Sequence, residues 1–144
     1  LGDVYKRQVE DDENEAIEVV TPATYYLKNG KHYIVYEEVV EGTSGVIKNR
    51  IKINGDECVE IVKSGLSNSH MIFEKNKKNQ TFYKTPYGQM LIGVNTRHLQ
   101  VDFEEDKIAV QIDYELDVNH EPMADCKIRM NIVSKDSGKF SVLS

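Results

Sequence analysis

The side chains best suited to chemistry are scattered along this chain. His32, His70, His98 and His120 share no close spacing, and no His-x-His, Cys-x-x-Cys or His-Glu-x-x-His occurs. A dedicated zinc site draws its ligands from such pairs, so no metal is expected. Cys58 and Cys126 are chemically able to act as nucleophiles beside a histidine, but neither stands in a local signature of that kind. Asp113 and Glu115 lie two apart, hence on one strand face, where two carboxylates can divide acid and base roles. The plainer reading of that pair is a solvated polar face. Glycines occur singly, never as a phosphate-cradling loop before a helix. The expectation is therefore no catalytic residue and no cofactor.

One constellation suggests binding. Thr85-Pro86-Tyr87-Gly88 reads as a turn near the mouth of the fold, and Arg97-His98 reads as the start of a strand. A phenol, a guanidinium and an imidazole together can hold the polar or anionic head of a ligand. Tyr25, Tyr26, Tyr33, Tyr36, Tyr83, Tyr87 and Tyr114 offer rings for an apolar body. The candidate ligand-binding set is thus Tyr36, Tyr83, Tyr87, Arg97 and His98, for a small apolar or amphipathic molecule. The plainer readings are an ordinary Pro-Gly turn beside surface charges, and rings serving core and cross-strand packing. Lys75, Lys77, Lys78 and Lys84 form a local basic group, best read as a solvated hairpin tip.

These side chains need a scaffold, and the stretch from Leu99 to Val133 shows its plan. Leu99, Val101 and Phe103 alternate with Gln100, Asp102 and Glu104; Ile108, Val110, Ile112, Tyr114 and Leu116 alternate with polar residues; so do Cys126, Ile128, Met130 and Ile132. Period-two alternation with short polar breaks, the second near Asn119-His120-Glu121-Pro122, predicts three antiparallel strands with one dry face.

The same rhythm runs through the earlier chain. Ile17, Val19, Thr21, Ala23, Tyr25 and Leu27 share a face, and Pro22 marks an edge position or a bulge because it cannot donate to a ladder. Asn29-Gly30 predicts a type I′ hairpin, and Asn54-Gly55 repeats the signal. Ile47, Ile51 and Ile53 share a side that Asn49 interrupts; Val59 with Ile61, and Met71 with Phe73, continue it. Met90, Ile92 and Val94 begin a strand, and Gly93 and Asn95 point to a bend or bulge before Leu99. A last turn is expected at Asp136-Ser137-Gly138-Lys139, followed by a short apolar end. No helix longer than a turn is predicted. The fold class is all-β: a single antiparallel up-and-down β-barrel of about eight to ten strands, since short sequential turns leave no Greek-key crossover and closure removes exposed edges. A barrel of about eight strands has room for packed side chains or one small ligand.

Composition narrows function further. The length of 144 residues fits one domain able to fold without a metal or disulfide staple. Two cysteines make no disulfide framework, and separate thiols on strands suit a reducing, cytoplasmic compartment. The net charge of −6 argues against nucleic acid and anionic membrane as partners. No apolar run approaches the ~20 residues of a membrane-spanning helix. The acidic run Glu10-Asp11-Asp12-Glu13-Asn14-Glu15 reads as a solvated turn or frayed end. The chain begins with Leu1, and its first octet, Leu1-Gly2-Asp3-Val4-Tyr5-Lys6-Arg7-Gln8, resembles a translated sequencing adapter. Residues 1–8 are therefore expected to be a scar or disordered end, and 9–144 one barrel domain.

The order of features resembles the YwiB-like family, a domain-of-unknown-function group of small bacterial proteins. The matching pieces are Tyr25-Tyr26, Gly30-Lys31-His32-Tyr33, Tyr36-Glu37-Glu38, Ser64-Gly65 and Met71-Ile72-Phe73-Glu74, then Tyr83-Lys84-Thr85-Pro86-Tyr87-Gly88, Thr96, Leu99 and Tyr114-Glu115-Leu116. The resemblance implies a calycin, lipocalin-like barrel and carries no activity or site residues. This chain departs from true lipocalins, which place Gly-x-Trp near the first strand, because it has no Trp. The leading expectation is a barrel holding a small ligand. The alternatives are a protein-interaction module using a sheet edge or the Tyr-bearing surface, and a small enzyme.

Overall fold

A computed structural model describes residues 2–10, 16–66 and 68–134 of the chain. Among these residues there is no helix, and ten strands form: β1 (Gly2–Glu10), β2 (Ala16–Lys28), β3 (Lys31–Val39), β4 (Val46–Asn54), β5 (Cys58–Gly65), β6 (Ser69–Glu74), β7 (Lys78–Thr85), β8 (Gly88–Phe103), β9 (Lys107–Val118) and β10 (Glu121–Ser134). Residues 11–15 of the acidic run, the turn at 136–139 and the apolar end after it lie outside the described residues.

Ten strands pair antiparallel in the order β6-β5-β4-β3-β2-β1-β10-β9-β8-β7. Every neighbouring pair except β1 and β10 is consecutive in sequence, so the chain is the expected meander with its two ends zipped together. Residues 2–8 of the octet set aside above fall within β1. Their backbone is a strand and not a loose end, filling the place between β10 and β2. A ladder needs backbone groups and is indifferent to the origin of the side chains.

Closure is where expectation and structure part. No ladder joins β6 to β7 among the described residues, so the barrel is not closed by hydrogen bonds all the way round. Their shared turn is closed by Lys77 N–H donating to Glu74 O and is tied to β8, where Asn76 N–H donates to Thr96 O and Thr96 N–H to Lys77 O. The sheet nonetheless wraps upon itself. His32 of β3 lies 4.8 Å, ring centre to ring centre, from Phe103 of β8, and Phe73 of β6 lies 4.9 Å from Tyr114 of β9. β3 and β8 are far apart in the ladder, so the first contact shows the inner faces of the curled sheet meeting, and the second lies beside the seam where the β6–β7 turn bonds to Thr96.

Apolar side chains of the described residues line that interior. Phe73, Ile34, Ile51, Ile53, Leu99, Ile108, Ile112, Ile128, Met130 and Ile132 are all under 2% exposed. Burying each contributes about 1.5–3 kcal/mol. Apart from Ile34, on a strand for which the sequence predicts no dry side, they occupy the alternate positions read as the dry face, with Val94, Val101, Val110, Ile61 and Val59 between them.

Three interruptions shape the wall. On β8 the dry positions change from even to odd between Val94 and Leu99. The register shift lies between Thr96 and His98, so Arg97 is the extra residue of a bulge. On β10 a second shift between Pro122 and Ala124 leaves Met123 62% exposed. The third is Pro22, where the β2–β3 ladder stops after Thr24↔Val35 although both strands continue. The β4–β5 connection differs slightly from expectation: Asn54 pairs with Cys58, leaving a three-residue loop with Gly55 at φ 58°.

Candidate functional site

The five candidate residues do not share a cavity. Tyr36 points inward, 5% exposed, beside its cross-strand partner Asn49. Tyr87 sits at the tip of the β7–β8 hairpin and is 99% exposed. Tyr83 is half-buried on β7. Arg97 and His98 both stand opposite the stretch around Asp113 on the outer face. From Gly88 at the hairpin tip to Arg97 is nine steps along β8, roughly 30 Å of strand at 3.3 Å per residue. That distance is why turn and strand start, grouped as one ligand head site, stand apart.

The tyrosines proposed as lining divide by face. Tyr25, Tyr36 and Tyr114 belong to the core. Tyr26 and Tyr33 are cross-strand partners on the outside, stacked at 4.8 Å and 7°. The histidines are equally dispersed. His32 is buried, with Nδ1 2.7 Å from the Tyr25 hydroxyl, and burial lowers its pKa from 6.5. His70 meets Glu60 at 3.3 Å. His120, at φ 68° beside Asn119 at φ 50°, makes the two-residue turn between β9 and β10. Among the described residues no three His, Cys, Asp or Glu gather in a way that could hold a metal.

Asp113 and Glu115 do share a face, the outer one, and Asp117 extends the row along β9. Each carboxylate meets a cation: Arg129 Nη2 of β10 at 3.0 Å from Asp113, Arg97 Nη2 of β8 at 2.8 Å from Glu115, and Lys78 Nζ, from β7 one strand further on, against Asp117. The Lys78–Asp117 pair crosses above Gly93, where an added Cβ would come within 2.9 Å of Lys78 Cε and 3.3 Å of Asp117 Cβ. Ion pairs of this kind tie strands together across the outer face of the sheet. Lys77 likewise meets Glu74 across the β6–β7 turn at 3.3 Å, so part of the local basic group is neutralised within its own hairpin.

No disulfide joins Cys58 and Cys126. Cys126 packs against the core, whereas Cys58 neighbours the inward Val59 and so faces outward. Burial, with help from Glu74 and Glu60, raises the Cys58 thiol pKa above 9.0.

Two features were not anticipated. One is a polar end to the interior. Glu38 of β3 accepts from Asn49 Nδ2 at 2.7 Å and from Lys63 Nζ at 3.2 Å, and Asn49 Oδ1 is buried with no partner. The sequence signal was the interruption at Asn49. The other is the parting of β2 and β3 below Thr24, where a cavity of about 310 Å³ is lined by Pro22, Ala23, Thr24, Val35, Tyr36 and Glu37. Its signal was Pro22. Further depressions of about 260 Å³ around Val35, Arg50 and Val62, 200 Å³ beside Glu115 and Met123, and 100 Å³ in the β6–β7 seam lie in the wall. None of these four is lined by the ten most buried core residues. No helix among the described residues is long and apolar enough to cross a membrane.

Comparison with known proteins agrees with this architecture. The chain is 32% identical over 117 residues to "Uncharacterized beta-barrel protein YwiB" of Bacillus subtilis (strain 168), covering 81% of this chain and 80% of that protein. The crystal structure of the ywiB protein from Bacillus subtilis superimposes with a TM-score of 0.75 at 24% identity, covering 94% of this chain and 91% of the other, which supports the fold. Residues 3–130 match the family described as "Domain of unknown function (DUF1934)". A match of that extent, on a meander whose ends meet through β1 and β10, shows that the chain belongs to the DUF1934 family of YwiB-like proteins.

Proposed function

We propose that this chain is a non-catalytic binding module that engages its partner through the barrel wall and not through a lumen. The observation that carries the reading is the contrast between closely packed core side chains on the described strands and an interrupted wall. Small-molecule sites are typically enclosed cavities of roughly 300–1,000 Å³. Here the inner faces touch at Phe73–Tyr114 and His32–Phe103, while the cavity of about 310 Å³ opens between β2 and β3. Tyr36, one of the five candidate residues, lines that opening. The absence of a catalytic role is supported by the carboxylates of β9, each spent on a cation.

The competing reading is a lipocalin-like lumen holding a small apolar or amphipathic ligand. Native mass spectrometry of the purified chain, followed by titration with a fluorescent fatty acid, separates the two. The expected result is the mass of the bare chain and no saturable change in fluorescence. A stoichiometric small-molecule adduct, or one-to-one probe binding that a bulkier residue on the inner face abolishes, would overturn the wall reading.

A further inference from the structure

The opening between β2 and β3 has a backbone cause. Asn29 and Gly30, at φ 52° and 75°, form a two-residue turn closed by Lys28↔Lys31. In such hairpins the closing pair exchanges both hydrogen bonds, and hydrogen-bonded pairs then recur at every second residue. Even-numbered residues of β2 and odd-numbered residues of β3 therefore aim their N–H and C=O groups at each other. In the register of Thr24↔Val35, the next such pair is Pro22 with Glu37. Proline has no N–H to give. The ladder stops there, β3 continues to Val39 on β4 alone, and β2 continues back to Ala16 on β1 alone.

Two strand edges are left facing each other. On β3, Glu37 and Val39 aim their N–H and C=O groups into the gap, while Tyr36 and Glu38 aim theirs at β4. On the outer lips stand Val20, 63% exposed, and Val39, 80% exposed. A gap between two unpaired edges matches an added strand, the mode in which main-chain hydrogen bonds supply affinity and alternate side chains supply specificity. The side chains at the gap indicate which strand. Val39 and Val20 suit a β-branched neighbour. Glu37 in the lining, with Glu41 exposed just beyond β3, suits a basic one.

We propose that the gap receives an extended segment of a partner protein, paired antiparallel to residues 36–39, with a β-branched side chain beside Val39 and a basic one beside Glu37. This rests on the wall reading above and names the partner class for it.

Amide hydrogen exchange on the full chain, followed by NMR, tests the proposal. In the free protein, Glu37 and Val39 are expected to exchange fast while Tyr36 and Glu38 are protected. The probe is the synthetic peptide acetyl-Lys-Thr-Val-Thr-Lys-Thr-Val-amide, in which Lys and Val alternate along one face and so can stand beside Glu37 and Val39 together. At ten times its dissociation constant it should slow exchange at Glu37 and Val39 roughly tenfold. A version N-methylated at alternate residues, with the same charge, should not. The variant Pro22→Thr restores the missing donor, so it should extend the ladder to Glu37 and weaken the probe. Glu37 and Val39 protected as strongly as Ile34 in the free protein would overturn the proposal, because the edge would already be covered by this chain or a second copy. Equal binding of the N-methylated probe would overturn it in favour of simple charge attraction. No protection at about 1 mM probe, a very weak affinity, would overturn the peptide assignment. The wall reading would then stand or fall on the mass measurement alone.

Discussion

Truncating Phe73 to alanine tests whether the interior is as full as the packing implies. Phe73 is 0% exposed and its ring meets the edge of Tyr114 at 4.9 Å and 62°. Removing a buried phenyl ring costs about 3–5 kcal/mol, the transfer free energy of the lost atoms plus the cavity left by neighbours that relax only in part. For a chain of 144 residues that corresponds to a fall in Tm of roughly 10–20 °C, at about 3–4 °C per kcal/mol. The cavity left behind would have apolar walls, because Phe73 pairs across the sheet with Val59 and the core around it is aliphatic. Such cavities stay dry and take up benzene. Urea denaturation and thermal melts with and without saturating benzene provide the assay. Phe73→Ala should lose the stated stability and recover about 1–3 kcal/mol with benzene, as expected for a ligand well above its dissociation constant. The natural chain should show no such response. If benzene raised the Tm of the natural chain as much as that of Phe73→Ala, or if the substitution cost under about 1 kcal/mol, a vacant lumen would exist and the packing argument would fail.

Other perturbations follow from single residues. His32 is held neutral by burial against Tyr25 and Phe103, and its folded-state pKa lies below the unfolded value near 6.5. The folded state thus favours the neutral ring; that part of the stability is present above pH 6.5 and declines as pH falls below it. Urea midpoints measured from pH 8 to pH 5 should therefore show an acid-side loss that His32→Phe reduces. Gly65 has φ 108°, and a Cβ there would lie 2.5 Å from Val46 O. Gly65→Ala should cost about 1–3 kcal/mol from backbone strain alone, read as a shift in urea midpoint. Deleting Arg97 removes the extra residue of the β8 bulge and restores plain alternation from Thr96 to Leu99, so circular dichroism should show a folded chain. Deleting Gln100 should instead unfold it, because one flank must turn its dry face to water.

How much of this was legible depends on whether a residue has one environment open to it or two. Ile108, Val110, Ile112, Ile128, Met130 and Ile132 have only the dry one, and all are buried as their alternation implied. Asn49 and Thr96 are polar but small enough to go inward, and both do, at 1% exposure each. That is why the interruption at Asn49 could be seen without its meaning. It is also why the bulge fell at Arg97 and not at Gly93 or Asn95. The closing of the sheet through β1 and β10, and its failure to close between β6 and β7, depend on which distant edges meet. Alternation within a strand holds no record of that. The candidate residues are dispersed for a related reason: Tyr87 and Arg97 were grouped by chemistry, whereas an extended β8 sets them far apart.

The interruptions also differ in what answers them, and the difference singles out one. At the β8 bulge the displaced residue is Arg97, and its guanidinium reaches Glu115 across the strand at 2.8 Å, while β8 and β9 resume pairing at His98↔Asp113. At the β10 bulge, pairing resumes at Ala124↔Leu116. At Pro22 the ladder to β3 does not resume. A chain that needed only a closed wall could place almost any other residue there and gain a donor opposite Glu37, worth about 0.5–1.5 kcal/mol net for the hydrogen bond. Local departures that forgo available stability, with no compensating contact nearby, are where function is expected to reside. On that reasoning Pro22 is the position at which the proposed docking site is best tested, and restoring the donor with Pro22→Thr should raise stability while removing the opening.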